Sequence, residues 1–338
     1  MQPRGDIGLA RLAQRLQGHK SFIICGHTSP DGDCLGSALA LRHALEACGK
    51  KAVCVLASTG AVDPALRFLP GLEQMVSLDD AALTGHAQPA VPIADAFIAV
   101  DVANLERLGD AAALRLCCKE SFTIDHHGVG EDFSHCNYID PSRASTTTIV
   151  WELLEHLGVA PTKDIATCAY TGLVTDTGGF QFQNTDAAAL AMASQMVAAG
   201  ADPAQVSREV FQNRRPASLR LEALMLSRME HSPQGSFIIS FLTLDDFATT
   251  GATKADAEPL VNILRSVEGI EVACILREEE GSVRGSLRAR GEADVSLLAQ
   301  EFGGGGHKAA AGFTVQGTLD EALVQVKGLL GRAFKEMT

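Results

Sequence analysis

Four short polar clusters stand where apolar runs of the sequence end. The first, His27-Thr28-Ser29-Pro30-Asp31-Gly32-Asp33-Cys34-Leu35-Gly36-Ser37, follows the apolar run at 21–25 and leads into a helical pattern. Pro30 and Gly32 suit a tight turn, so that Asp31 and Asp33 can converge with His27 instead of spreading into solvent. The second is Asp101, directly after Phe97-Ile98-Ala99-Val100, and the third is Asp125-His126-His127, after Phe122-Thr123-Ile124. The fourth is Asp176 in Gly172-Leu173-Val174-Thr175-Asp176-Thr177-Gly178-Gly179-Phe180, where glycines would let backbone approach a site closely. Singly, each has an ordinary explanation: a helix N-cap, a turn residue, a core or surface histidine pair, a helix C-terminal turn. Together they fall at one edge of one expected sheet, where ligands of open α/β sheets bind. Carboxylates and imidazoles with no thiolate at metal spacing suit Mn²⁺ best, with Mg²⁺, Co²⁺ or Zn²⁺ less favoured. The donors His27, Asp31, Asp33, Asp101, His126 and Asp176 are numerous enough for two ions. Two ions can activate a water and stabilise both the attacking and the leaving oxygen of a phosphoryl displacement, with no nucleophilic side chain.

The elements that must position these residues follow from periodicity. A strand at 21–25, a helix at 37–48 and a strand at 52–56 give βαβ order, and further strands are predicted at 96–100 and 121–124 around an amphipathic stretch at 105–116. Helices are predicted at 146–157, 163–175, 186–199, 203–211 and 217–229. After a turn-rich break at 231–235, strands are predicted at 236–242, 271–277 and 283–290, with helices at 257–267, 295–302 and 319–334. The expectation is an α/β chain: a mostly parallel sheet covered by helices in a domain at 1–200, a helical connector at 201–232, and a smaller α+β domain at 233–338.

Composition narrows the function. The 338-residue chain carries a net charge of −13, which opposes sequence-independent binding along a polyanion, since such affinity comes from Lys and Arg displacing counterions. Long duplex nucleic acid is not expected. Nine scattered cysteines suggest neither a disulfide framework nor a zinc ribbon. Cys34, beside Asp33, reads as a small side chain packed behind the loop. No apolar run approaches the ~18 residues of a membrane span, and the first twenty residues lack a signal-peptide pattern. A soluble, cytoplasmic protein with no membrane contact is expected.

In order along the chain, His27-x-x-Pro-Asp31-Gly-Asp33-Cys-Leu-Gly-Ser, Asp101-Val-Ala-Asn-Leu-Glu-Arg107, Asp125-His126-His127 and Thr175-Asp176-Thr177 resemble the motifs of the DHH phosphoesterases. Gly303-Gly-Gly-Gly306-His307-Lys-Ala-Ala-Ala-Gly312-Phe313, with Ser286-Leu-Arg288 before it, resembles the glycine-rich motif of the associated DHHA1 domain. The two-domain plan is most similar to the branch of oligoribonucleases (nanoRNases) and 3′-phosphoadenosine 5′-phosphate (pAp) phosphatases. The resemblance implies that His27, Asp31 and Asp101 hold one metal ion and that Asp33, Asp101, His126 and Asp176 hold the other, with Asp101 bridging. It implies that His127 faces the phosphate as oxyanion stabiliser or proton donor, that Asp125 orients a histidine, and that Arg107 supports the site or the phosphate. Ser286, Arg288, Gly304, Gly305, Gly306 and His307 would contact substrate. Val102 stands where many relatives have Thr, and Ala289 follows Arg288 where Ser is common.

The resemblance thus points to an exonuclease-like enzyme that releases mononucleotides from very short RNA or converts pAp to AMP, and it is compatible with a homodimer. A RecJ-like single-strand DNA exonuclease is the alternative enzyme, although one Trp, two Tyr and an acidic chain give little for tracking a strand. A family II inorganic pyrophosphatase would share the first motifs but not the glycine segment. From a different class, a non-catalytic RNA-binding or regulatory module would use the glycine segment without needing an intact donor set.

Overall fold

The computed structural model describes residues 4–336 except 6, 59–61 and 79–93, and it leaves out the side chains of residues 4, 307, 335 and 336. The chain divides into two compact units, Met1–Asn213 and Arg214–Thr338. The division falls inside the stretch read from sequence as a connector.

The first unit is built on a seven-stranded sheet in the order β1-β7-β6-β5-β2-β3-β4. Its strands are β1 Arg4–Gly5, β2 Ser21–Cys25, β3 Lys51–Leu56, β4 Val76–Ser77, β5 Ala96–Val100, β6 Glu120–Asp125 and β7 Cys136–Ile139. All neighbours pair in parallel except the edge pair β1–β7. Its helices are α1 Leu9–Gln17, α2 Gly32–Ala47, α3 Ala112–Leu116, α4 Thr146–Leu157, α5 Lys163–Asp176, α6 Ala187–Ala198 and α7 Pro203–Phe211. Phe22 and Ile24 of β2 enter a core with α1, α2, α4 and α5, whereas Ile23 and Cys25 face Leu108 and Ala111 on the other side. Both faces of the sheet are therefore buried, which explains why β5 reads as a continuous apolar run.

Two departures from the sequence reading bear on the site. Helix α2 begins at Gly32, five residues before the expected start, because Asp31 caps it by accepting from the N–H groups of Asp33 and Cys34. The stretch at 105–116 is a 3₁₀ segment, Leu105–Ala111, followed by the short α3. Strand β7 lacks the long apolar run that marks the central strands, and the sequence reading passed over it.

The second unit has a six-stranded sheet in the order β12-β13-β11-β10-β9-β8. The strands are β8 Glu230–His231, β9 Phe237–Leu242, β10 Val272–Glu279, β11 Ser282–Ala289, β12 Gly305–His307 and β13 Ala310–Gln316. Helices α8 Pro216–Ser227, α9 Leu244–Thr250, α10 Lys254–Ala257 and α11 Leu260–Arg265 belong to this unit, as do α12 Val295–Gln300 and α13 Leu319–Glu336. Leu221, Leu260 and Leu264 cover Ile238, Ala273 and Ile275 on one face, and Val295, Val326 and Leu330 cover Cys274, Leu287 and Phe313 on the other. The glycine segment, whose composition alone suggests a loop, forms the edge strand β12. A Cβ on Gly304 would lie 2.3 Å from the Gly312 carbonyl oxygen, so the absence of a side chain is what lets this edge close. Among the described residues no helix is long and apolar enough to cross a membrane.

Candidate metal centre

The carboxyl ends of β2, β5 and β6 deliver His27, Asp101 and Asp125-His126-His127, α2 brings Asp33, and the last residue of α5 is Asp176. The close approach of α2 and α5 joins the latter two. A Cβ on Gly172 would stand 2.3 Å from Thr147 Cγ2 and 2.8 Å from Asp33 Oδ1. Gly172→Ala is therefore expected to cost about 1–3 kcal/mol by overpacking and to weaken metal binding with it. Thermal unfolding with and without Mn²⁺ checks this, and an unchanged Tm and an unchanged Mn²⁺-induced shift would contradict it.

Asp101 occupies the junction of the cluster. Its Oδ2 is 3.6 Å from His27 Nε2, and its Oδ1 is 3.7 Å from His126 Nε2. One carboxylate thus turns an oxygen to each of two neighbouring positions. Its backbone has φ 58°, a region that Asp tolerates better than most residues. Asp31 Oδ2 completes the first position at 3.8 Å from His27 Nε2. At the second, His126 Nε2 is 3.9 Å from Asp33 Oδ2 and 3.7 Å from Asp176 Oδ2.

These spacings are too long for hydrogen bonds, yet they suit donors sharing an ion, because ligands about 2.1 Å from one cation stand roughly 3–4 Å apart. The hydrogen bonding around the site fixes which atoms are donors. His126 Nδ1–H donates to the Arg143 carbonyl at 3.3 Å, which leaves Nε2 as the nitrogen turned toward three carboxylates. Asp33 accepts from the N–H groups of Thr146 at 2.6 Å and Thr147 at 2.9 Å. Thr146 Oγ1 donates to Asp101 Oδ1 at 3.1 Å, and the Asn184 amide donates to Asp176 Oδ2 at 3.4 Å. His27 is buried, with Nδ1 lacking a hydrogen-bond partner among the described residues.

Such a cluster is short of positive charge. Burial, followed by the charges of Asp101, Asp176 and Asp31, pushes the Asp33 carboxyl well above the usual range despite the Thr147 N–H. Burial and the neighbouring acids Asp101 and Asp31 raise Asp176 to about 6, against the opposing pull of His126. Burial would raise Asp101 too, but His27, His126 and His127 outweigh it and hold Asp101 below its ordinary value. A divalent cation at either position would supply the missing charge.

His127 has a different environment. Its Nδ1–H donates to Asp125 Oδ1 at 2.7 Å, and the same oxygen accepts from the His126 backbone N–H. Nε2 is left as the nitrogen open to a ligand. Burial opposes protonation, but Asp125 and Asp101 prevail and raise His127 to about 9, with Arg107 close enough to oppose them. Cys34 lies nearer the centre than the sequence suggests, with donor atoms of Cys34, His27 and Asp101 all within 4.8 Å of one another. Burial holds its thiol well above the usual range, and its Sγ fills the space that a Cβ on Gly26 would need. Gly178 and Gly179 both have positive φ and turn the chain after α5, and a Cβ on Gly178 would meet the Phe182 ring.

In the second unit Ser286 and Arg288 share one face of β11. Arg277 donates to Ser286 Oγ at 2.8 Å, and Arg288 Nη1 donates to the Leu287 carbonyl at 3.0 Å. Gly305 pairs with Gly312, which is also the partner of Ser286 on the other side of β13. The His307 side chain lies outside the described residues.

Residues 21–173 match the DHH family, N-terminal domain, and residues 234–332 match the DHHA1 domain. The chain is 35% identical to the bifunctional oligoribonuclease and PAP phosphatase NrnA of Thermus thermophilus, over 90% of this chain and 87% of that protein. The chain belongs to the DHH/DHHA1 phosphoesterase family. The Bacillus subtilis protein of the same name is 26% identical over 92% of this chain and 94% of its own length. A crystal structure of an exopolyphosphatase-related protein from Bacteroides fragilis superposes with a TM-score of 0.89 at 28% identity, covering 96% of this chain and 95% of that one. In DHH terms the histidine pair has two unlike members: His126 turns a free Nε2 to the acids, and His127 is tied to Asp125.

Sequence reasoning passed over Thr146, Thr147, Arg143 and Asn184. The first two carry an ordinary N-cap signal, Ser145 before three threonines, and nothing local says that the freed N–H groups will meet Asp33.

Proposed function

We propose that the protein is a two-metal phosphoesterase acting on very short oligoribonucleotides, releasing mononucleotides, and on pAp, converting it to AMP. The observation that carries the reading is Asp101, whose two oxygens face two separate donor groups. His27, Asp31 and Asp101 would hold one ion and Asp33, Asp101, His126 and Asp176 the other, with Mn²⁺ the best match to carboxylate and imidazole and Mg²⁺ or Co²⁺ next. Ions bound there would supply an activated water and neutralise charge at the phosphorus. The chain's own groups do the rest. Thr146 and Thr147 fix the Asp33 carboxylate, Asn184 steadies Asp176, and Asp125 sets His127 with Nε2 toward the phosphate. As water adds to phosphorus and the P–O ester bond breaks, His127 stabilises the charged oxygens or gives its proton to the leaving oxygen. Arg107, near His127, adds positive charge. Ser286, Arg288, His307 and the backbone of Gly304 to Gly306 would bind the part of the nucleotide that does not react.

The relatives named for oligoribonuclease and PAP phosphatase activity support this substrate class, and the net charge of −13 disfavours long strands. The test is a Mn²⁺-dependent panel of pAp, di- to pentanucleotides, long single strands and pyrophosphate. Activity per end is expected to fall steeply beyond about five nucleotides. Arg288→Ala is expected to raise KM for pAp or a dinucleotide roughly tenfold, with little change on bis(p-nitrophenyl) phosphate. Equal activity per end on a strand of about 24 nucleotides and on a trinucleotide at ordinary salt would favour a RecJ-like exonuclease instead.

A further inference from the structure

Within the second unit a cavity of about 480 Å³ opens beside β10 and β11, in the size range of small-ligand sites. Leu244 and Phe247 of α9 form its apolar wall, Arg277, Arg284 and Thr314 line the sheet side, and Glu258 stands at the rim. Its position relative to Ser286 follows from strand register. Ile275 pairs with Ser286 and Arg277 with Arg284, so the cavity lies one same-face step along the ladder from Ser286. Arg277 joins the two places, because it lines the cavity and donates to Ser286 Oγ. Its Nε is buried with no hydrogen-bond partner among the described residues.

The composition of this cavity is unlike a phosphate site. Arg277, Arg284 and Lys254 are matched there by Glu258, Glu278 and Glu279, so it offers both donors and acceptors around an apolar wall. Glu279 is held by Lys254, and Glu278 accepts from the Leu244 N–H. Glu258 is exposed and close enough to Arg277 and Arg288 for its charge to act on both. An aromatic wall stacks a flat ring, guanidinium groups donate to ring acceptors, and a carboxylate accepts from ring N–H groups. Guanine presents O6 and N7 to the first and N1–H with its amino group to the second. We propose that this cavity is a nucleobase pocket that prefers guanine and receives the base of a nucleotide whose phosphate is bound at Ser286 and Arg288. The pocket extends the substrate-binding part of the proposed function and rests on it.

The test is equilibrium binding to the metal-loaded full chain of GMP, AMP, CMP and ribose 5-phosphate, all of which carry the same phosphate. GMP is expected to bind at least tenfold more tightly than ribose 5-phosphate, with AMP and CMP between them. Glu258→Gln, an exposed change, is expected to lower GMP affinity several-fold and leave ribose 5-phosphate unaffected. Phe247→Ala should remove most of the advantage of all three bases; because Phe247 also packs on the core of its unit, Glu258→Gln carries the test if that variant does not fold. Equal affinities for GMP and ribose 5-phosphate would overturn the pocket alone. Absence of binding by every nucleotide would overturn the pocket together with the Ser286–Arg288 contact. Hydrolysis of bis(p-nitrophenyl) phosphate, measured on the same preparation, tells whether the phosphoesterase reading stands independently.

Discussion

Asp101→Ala is expected to lose turnover by on the order of 10³-fold or more, and also the rise in Tm that Mn²⁺ is expected to give the native chain. The side chain is the meeting point of His27, His126, His127 and Thr146. Removing it takes a donor from both proposed ion positions at once and leaves the imidazoles without the carboxylate they face. Asp101→Asn sharpens the test, because it keeps the shape and an oxygen for the Thr146 contact but removes the negative charge and leaves one neutral oxygen for cations. It should restore folding without restoring turnover. Near-normal kcat with two bound Mn²⁺ in either variant would sink the bridging role.

His127→Ala is expected to lower kcat on the order of 10²-fold or more while Mn²⁺ binding is retained. The contrast with its neighbour is geometric. His126 Nε2 faces Asp33, Asp101 and Asp176 with Nδ1 committed to a backbone carbonyl, whereas His127 has Nδ1 committed to Asp125. His126→Ala should therefore lose metal affinity first and activity as a consequence. Asp125→Asn should resemble His127→Ala more than His126→Ala, since it removes the negative charge that holds the His127 ring and leaves only a neutral amide oxygen to accept from Nδ1–H. If His127→Ala loses metal and His126→Ala keeps it, the two roles are exchanged.

What could be read without the fold follows a physical pattern. His27, Asp101 and Asp125 to His127 each end a strongly apolar strand, and in a parallel sheet such ends lie together, so their convergence was legible from order alone. The parallel arrangement followed from alternating strand and helix patterns. The start of α2 was not legible, because Gly32 and Gly36 lower helix propensity and the reason for tolerating Gly32 there, the nearness of Thr175 on α5, is tertiary. The two N–H groups of Thr146 and Thr147 that hold Asp33 come from more than a hundred residues away. The edge strand β12 was not legible because its glycines carry no strand signature, and it exists only through pairing; β13 has only Phe313-Thr314-Val315 as a strand signal, after a run of alanines and glycine. The cavity beside Phe247 needed the register of β10 on β11, which a single sequence does not specify.

The proposed function requires two cations at this cluster. Its most direct test is to titrate the chelator-stripped chain with Mn²⁺, measuring bound ions per chain by equilibrium dialysis and hydrolysis of bis(p-nitrophenyl) phosphate in the same samples. Two ions are expected to bind per chain, with no turnover before metal is added and full turnover only when the second position fills. Turnover by the stripped chain, or saturation of activity with no more than one ion bound, would contradict it.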